Sequence, residues 1–272
     1  MVKTAKPLLR IFCYMPTPRV WKSTITARFL DINIELKGTK PTEIKNWLWD
    51  FDARPLTKED KVKLADKTTK GRTGFSIKLY KTASFLATQP YGTIPAAFSP
   101  DGKIGIFESN SIMRLVARLK SKNNTLYGSN PYEASRIDGF LDSSLIFARS
   151  SQTYLLSIHN GSVTKTIRNE AKEAYINYMT GIENALRENK KNSCITTKNI
   201  TLADICFFCE FSLFYREIIP LNNPKNGISS IITELGPKSF NLSIKHFKKL
   251  RKHPYFKIDA NKYLGDIEKK LT

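Results

Sequence analysis

Cysteine is scarce in this sequence. Its four cysteines, Cys13, Cys194, Cys206 and Cys209, are too few and too unevenly spaced for a disulfide scaffold, and they fit a reducing compartment. Histidine is scarcer still, at three residues. The Cys206-Phe-Phe-Cys209 pair therefore has no second CxxC and no histidine cluster with which to complete a zinc site, and no metal is expected. A thioredoxin-type pair sits where a strand turns into a helix, whereas this one lies inside an apolar helical run and reads as core packing. No apolar run approaches the ~20 residues needed to span a bilayer, which argues against a membrane protein. The N-terminus, MVKTAKPLLRIFCYMP, starts with charge but has neither a long apolar stretch nor a small-residue cleavage site, so no signal peptide is expected and a cytoplasmic location is. Acidic residues are also in short supply: 24 stand against 44 lysines and arginines, for a net charge of +20.

What is present is enough for a globular fold. Apolar residues make up 41% of 272, so one large domain or two modest ones can each bury a core. The basic balance attracts nucleic acid, anionic lipid or acidic small molecules. Most of the excess is lysine scattered along the chain, which reads as a solvated surface. The segment from Lys238 onward is the most basic, with ten basic residues against three acidic ones. Its cluster Lys245, Lys248, Lys249, Arg251 and Lys252 falls around an expected helix end, where basic residues complement the dipole. No RNA-binding motif with interleaved aromatics accompanies it, so contact with nucleic acid or the ribosome is the third-ranked reading.

Hydrophobic patterning gives an order of elements. LLRIFCY at 8–14 reads as a buried strand. Met15-Pro16-Thr17-Pro18 is a turn, with Thr17 a good N-cap and Pro18 suited to the first helical position. Val20, Trp21, Ile25, Phe29 and Leu30 follow at helical spacing, and INIELK at 32–37 alternates as a second strand, expected to pair in parallel. Residues 39–76 are charged but carry Trp47, Trp49 and Phe51. Helices are expected there over 42–50 and 57–66, and KTTKGRTG reads as a flexible loop. A short helix then leads to QPYGTIPAAF, a hairpin turn at Ser99-Pro100-Asp101-Gly102-Lys103, the returning strand IGIFE, and a helix from Ser109 with Ile112, Leu115, Val116 and Leu119 at helical spacing. After a linker at 121–130, helices are expected over 131–158, 162–190, 201–219 and 240–253, with no further strand. The fold class is thus α/β plus all-α: a thioredoxin-like N-terminal domain over 1–122, with an insertion at about 39–76, and an all-helical domain over 131–272.

Several motifs in this order resemble the cytosolic glutathione S-transferase superfamily. They are the first strand and turn, QPYGTIPAAF with its hairpin, Glu108-Ser109 before a helix, Thr201-Leu202-Ala203-Asp204-Ile205, and the late FKKLRKHPYFK. The likeness covers about 1–38 and 77–260. The second half, through GIFESNSIMRLVA and the TLADI helix, is also similar to the N-terminal region of the gamma subunit of translation elongation factor one.

The resemblance implies glutathione as co-substrate, an unknown electrophile held between the two domains, and a homodimer. It implies that Pro95 is cis and that the backbone of Ile94 pairs with the cysteine part of glutathione like an added strand. Ser109 and its backbone N–H, at a helix start, would hold the γ-glutamyl carboxylate, and Glu108 the α-ammonium. Ser109 is also a good N-cap on its own. The thiol-activating residue falls near the end of the first strand, and three readings stay open: Thr17, Tyr14, or no catalytic residue. Cys13 precedes both and reads as core, and Arg19 is near enough to assist an anionic thiol. Thr201 and Asp204 read as a capping box.

The long insertion departs from the family pattern. No residue aligns with the usual partner of the glycine carboxylate of glutathione; neither Lys81 nor Gln89 is assigned that role, and Thr93 stands where many members have lysine. The Trp47–Phe51 patch is expected to be buried packing more often than a site cover or a dimer contact. Two functions compete. One is glutathione conjugation or glutathione-dependent thiol or peroxide chemistry. The other is a non-catalytic binding or scaffolding module with the same fold, as in elongation factor complexes.

Overall fold

Strand β1 (Leu9–Phe12) organises the first half of the molecule. In the computed structural model, which describes residues 6–64, 69–70, 78–120, 124–189, 194–218 and 229–270, this strand is buried on both faces. Side chains alternate along a strand, so one face collects Leu9, Ile11 and Cys13 and the other receives Phe12. The first set packs with Val20, Ala27, Ala97, Ile112 and Val116. Phe12 packs with Ile44, Trp49, Ala53, Leu79, Phe85, Ala96 and Phe98. One strand thus joins two apolar cores.

The chain divides into two compact units, Met1–Ser121 and Lys122–Thr272. In the first, β1 is followed by α1 (Pro18–Leu30) and β2 (Ile34–Lys37), which pairs with β1 in parallel. Farther along come α3 (Ala83–Thr88), β7 (Ala96–Phe98), β8 (Gly105–Ile106) and α4 (Ser109–Arg118). The sheet order is β2-β1-β7-β8, with β7 antiparallel to both neighbours. Helices α1 and α4 cover the Ile11 face. This is the expected β-α-β, hairpin, helix order, although the returning strand is only two residues long.

The insertion differs from its sequence reading. The helix expected over 42–50 is a 3-10 turn (Pro41–Asn46) running into strand β3 (Trp47–Trp49). The helix expected over 57–66 is a single short α2 (Lys58–Lys63) with a Thr57–Asp60 capping box. Strands β4 (Arg54–Pro55), β5 (Thr69–Lys70) and β6 (Lys78–Lys81) join β3 in a second sheet ordered β4-β3-β6-β5. Of the expected loop KTTKGRTG, Thr69 and Lys70 are β5, and the rest lies outside the described residues. Burial explains the change. Trp49 meets Phe12 edge-on at 5.6 Å and Phe85 at 5.9 Å, and Trp47 stacks on Phe12 at 6.4 Å. Alternate residues of an extended segment reach that core, so the aromatics of the insertion are packing.

The described residues of the second unit form helices joined by turns and loops, with no strand among them. It comprises α5 (Pro131–His159), α6 (Lys165–Glu188), α7 (Leu202–Phe214), a 3-10 turn (Tyr215–Glu217), α8 (Ile231–Ser239), α9 (Asn241–Lys252) and α10 (Pro254–Glu268). Helix α8, bent at Gly236 with φ 57°, and helix α10 were not expected from the sequence. Helix α7 is buried on nearly every side and forms the centre. Phe211 lies 4.7 Å from Phe247, Phe208 4.9 Å from Phe256, and Phe147 stacks on Tyr178 at 4.8 Å. Cys206 and Cys209 are buried here, as core residues. No described helix is long and apolar enough to cross a membrane.

Candidate functional site

Strand register brings three separate segments to one end of the first sheet. Phe12, at the end of β1, pairs with Ala96, at the start of β7. Ile106, at the end of β8, pairs with Ala97. The turn leading into α1, the Ile94-Pro95 pair and the Phe107–Ser109 corner therefore lie together, although about 90 residues of chain separate the first from the last.

The turn after β1 is fixed by a close approach. Cys13 donates its N–H to the Lys37 carbonyl at 3.1 Å, and Met15 donates to Thr39 at 2.8 Å. Gly38, at φ 146°, sits where a Cβ would fall 1.7 Å from the Cys13 carbonyl oxygen, so only glycine allows the two segments to meet. The Met15-Pro16 bond is cis. Thr17 then occupies the N-cap of α1, and its backbone carbonyl accepts from Val20 at 3.0 Å. Its side chain does not cap. Oγ1 is buried, with the residue 2% exposed, and has no hydrogen-bond partner among the described residues. An unpaired buried hydroxyl costs about 1–3 kcal/mol. The N-cap position was foreseen; the idle hydroxyl was not.

The neighbours of Thr17 are otherwise occupied. The half-buried Tyr14 ring packs against both apolar cores. Burial pushes the Cys13 thiol up to about 12, although the charge of Arg19 and a backbone hydrogen bond at Tyr14 pull the other way. At neutral pH Cys13 is a thiol and a core residue, not a nucleophile.

Ile94-Pro95 is a cis peptide. Ile94 packs against both cores, and its own backbone N–H and carbonyl have no partner among the described residues. It offers one strand-like position at the end of the sheet. Lys81 donates to the Gly92 carbonyl at 2.7 Å and lies 5.0 Å from the Trp49 ring centroid, so it braces this turn. Buried Gln89 donates to the Ala97 and Ile106 carbonyls at 3.1 and 3.3 Å. Both residues have structural work.

At the Glu108-Ser109 corner, Ser109, whose residue type also suits an N-cap, is the first residue of α4, and Glu108 holds the cap position at φ 67°, ψ 123°. A positive φ is uncommon for a residue with a side chain and costs about 1–3 kcal/mol, a strain concentrated at ligand sites. No side chain caps α4. Glu108 is exposed, Ser109 is buried, and Ile112 donates back to the Glu108 carbonyl at 3.0 Å. Beneath the corner lies Lys22 of α1, wholly buried, with Nζ 3.2 Å from Ser109 Oγ and 2.6 Å from Asn110 Oδ1. Sequence reasoning missed Lys22. A lysine near the start of a helix has the look of a surface residue, and only the packing of α1 against α4 reveals it.

The arrangement is an uncapped helix start with a strained corner, facing a free backbone edge and an idle buried hydroxyl. Helix starts carry partial positive charge and attract anions, a hydroxyl can donate to a thiolate, and a free edge accepts an extended peptide. Among the described residues no cluster of histidine, cysteine, aspartate and glutamate could hold a metal.

Comparison with solved structures defines the class: the chain has the glutathione S-transferase fold. A Drosophila melanogaster glutathione S-transferase, isozyme E7, aligns over 97% of this chain and 95% of its own with TM-score 0.63 and 17% identity. A glutathione transferase homolog from Lodderomyces elongisporus, solved with two GSH per subunit, aligns over 94% of this chain and 98% of its own with TM-score 0.64 and 16% identity. In sequence, the chain is similar to a probable elongation factor 1-gamma of Arabidopsis thaliana, at 28% identity over 189 residues, and to elongation factor 1-gamma of Prunus avium, at 30% over 190. Each match covers 69% of this chain and 40% of the relative's length. A shorter match, 38% over 64 residues, covers 23% of this chain and 29% of glutathione S-transferase F9 of Arabidopsis thaliana. No family model matches the chain.

Proposed function

We propose that the first unit binds glutathione and activates its thiol through Thr17. The buried, partnerless Thr17 hydroxyl carries this reading. A hydroxyl spent on capping would be structural; this one is held at a helix start, out of water, with its proton unspent. A bound thiol beside it gains a hydrogen bond in its ionised form and ionises more readily. Tyr14 is the weaker candidate because its ring is engaged by both cores. The free backbone of Ile94 ahead of cis Pro95 supports pairing with the cysteinyl part of the tripeptide. The uncapped start of α4 at Ser109 supports capture of the γ-glutamyl carboxylate, with the exposed Glu108 carboxylate near its ammonium. The reaction is conjugation to an electrophile or related thiol or peroxide chemistry. The four buried free cysteines fit a cytoplasmic, glutathione-reduced setting.

A second reading has its own support. The elongation factor 1-gamma matches, and the engagement of Lys81 and Gln89 elsewhere, favour a non-catalytic module in a larger assembly.

Isothermal titration calorimetry with reduced glutathione separates the two. Binding by wild type that is lost in Glu108→Ala/Ser109→Ala, with thiolate absorbance of the bound ligand that falls in Thr17→Val, is the expected outcome. No binding at millimolar glutathione sinks the enzyme reading and leaves the module. Light scattering on the same samples tests the homodimer that the family likeness implies.

A further inference from the structure

The contact between Lys22 and Ser109 fixes which way the serine hydroxyl works. An ammonium group has three donors and no lone pair, so at 3.2 Å the Lys22 Nζ donates and Ser109 Oγ accepts. A serine hydroxyl has a single proton. With one oxygen lone pair taken from beneath, that proton is available only to an acceptor elsewhere. The same ammonium holds the Asn110 side chain with its carbonyl oxygen inward, at 2.6 Å. Lys22 also puts positive charge at the end of α4, where the helix dipole is positive too. A helix start by itself disfavours that arrangement, and an arriving anion offsets it.

We infer that Lys22 is a positioning residue that commits Ser109 to donate, so that this end of the site selects a carboxylate over a neutral or cationic group. The inference rests on the glutathione reading above and assigns Lys22 no contact with the ligand: it acts through Ser109 and through its charge. Three features support it together. Lys22 is wholly buried, so its position is set by packing and not by solvent. Its partners are consecutive residues in the first turn of α4. The corner immediately before them is held in a strained backbone conformation by the fold.

The test compares two ligands by calorimetry: reduced glutathione, and 4-aminobutanoyl-cysteinyl-glycine, which keeps the amine and the rest of the tripeptide but lacks the γ-glutamyl α-carboxylate. Wild type is expected to prefer glutathione by about tenfold or more, the worth of a hydrogen bond to a charged group. Lys22→Met, close in length and apolar, is expected to lose that preference by weakening glutathione alone, while the analogue binds within about twofold of wild type. Lys22→Arg is expected to restore it. Should Lys22→Met not fold, Lys22→Leu takes its place. Equal weakening of both ligands would mark Lys22 as merely structural and overturn the inference, as would a wild type indifferent to the carboxylate. Wild-type binding with the preference intact in Lys22→Met overturns this inference alone. A wild type that binds neither ligand overturns it together with the glutathione reading.

Discussion

The long helices of the two units start in opposite ways. In the helical unit every described α-helix begins under a side-chain acceptor. Asn130 caps α5 and Thr164 caps α6. Asp204 takes the N–H of Thr201 at 2.8 Å ahead of α7, and also holds Ile195 N–H and His246 Nε2. Glu217 accepts from Ile231 and Ile232 N–H, from Ser230 Oγ and from Tyr154 at the start of α8. Glu183, reaching from α6, accepts from Leu242 and Ser243 N–H at α9. His253 Nδ1 serves α10. In the first unit the two long helices, α1 and α4, have no side-chain cap. Both start at the sheet end where the candidate site lies. Side-chain acceptors, three of them buried carboxylates, finish the helix starts of one unit, and in the other the starts of α1 and α4 are left open. Uncapped helix-start N–H groups at the end of a sheet are available to a ligand.

The sharpest way to break this contrast is to remove a carboxylate from the capped unit. Glu217→Ala strands a buried tyrosine hydroxyl, a serine hydroxyl and two helix-start N–H groups at once. A loss of about 3 kcal/mol is expected, read as a lower urea midpoint with an unchanged slope. Thr17→Val should move the other way. Valence is idle there, the extended φ of −149° suits a β-branched residue, and a methyl replaces an unpaired buried hydroxyl. A gain of about 1 kcal/mol is expected, together with loss of thiolate stabilisation in bound glutathione. A destabilised Thr17→Val protein would show that the hydroxyl has a partner after all and would remove the contrast.

The smallest effect comes from exposed carboxylates. Hydrogen bonds from Lys172 and Arg168 hold Glu234 below its ordinary 4.5, and Arg251, with Nη1 and Nη2 at 2.5 and 2.9 Å, does the same for Glu268. A depressed folded value means stability that is present above the unfolded value and lost as pH falls through the folded one. The helical unit should therefore weaken as pH drops below about 4.5. Lys172→Gln should flatten that acid limb slightly, as a solvent-screened pair allows. An acid limb unchanged by the substitution would count against the pair.

Much of this architecture was legible in the sequence. Apolar alternation located β1, the Thr17-Pro18 pair located the start of α1, and the hairpin and its following helix were written in Ser99–Lys103 and Ile112–Leu119. Thr17, Tyr14, Ile94, Pro95, Glu108 and Ser109 could be picked out because motif order maps onto one end of one sheet. The insertion was not legible. Trp47-Leu48-Trp49 lacks a clean period, and its strand exists because β6 pairs with it from some 30 residues away and Phe12 waits on the inner face.

The sequence by itself determined the local events: where the chain turns, which faces are apolar, and which residues favour helix starts. Those depend on neighbours a few residues apart, whose identities are all present in the string. Tertiary structure alone decided which polar groups are left unpaired. That Thr17 is idle, that Ser109 begins its helix instead of capping it, and that Lys22 is buried beneath it depend on partners up to 88 residues distant. Hydrogen-bond satisfaction is a property of the packed three-dimensional set, and no local pattern encodes it.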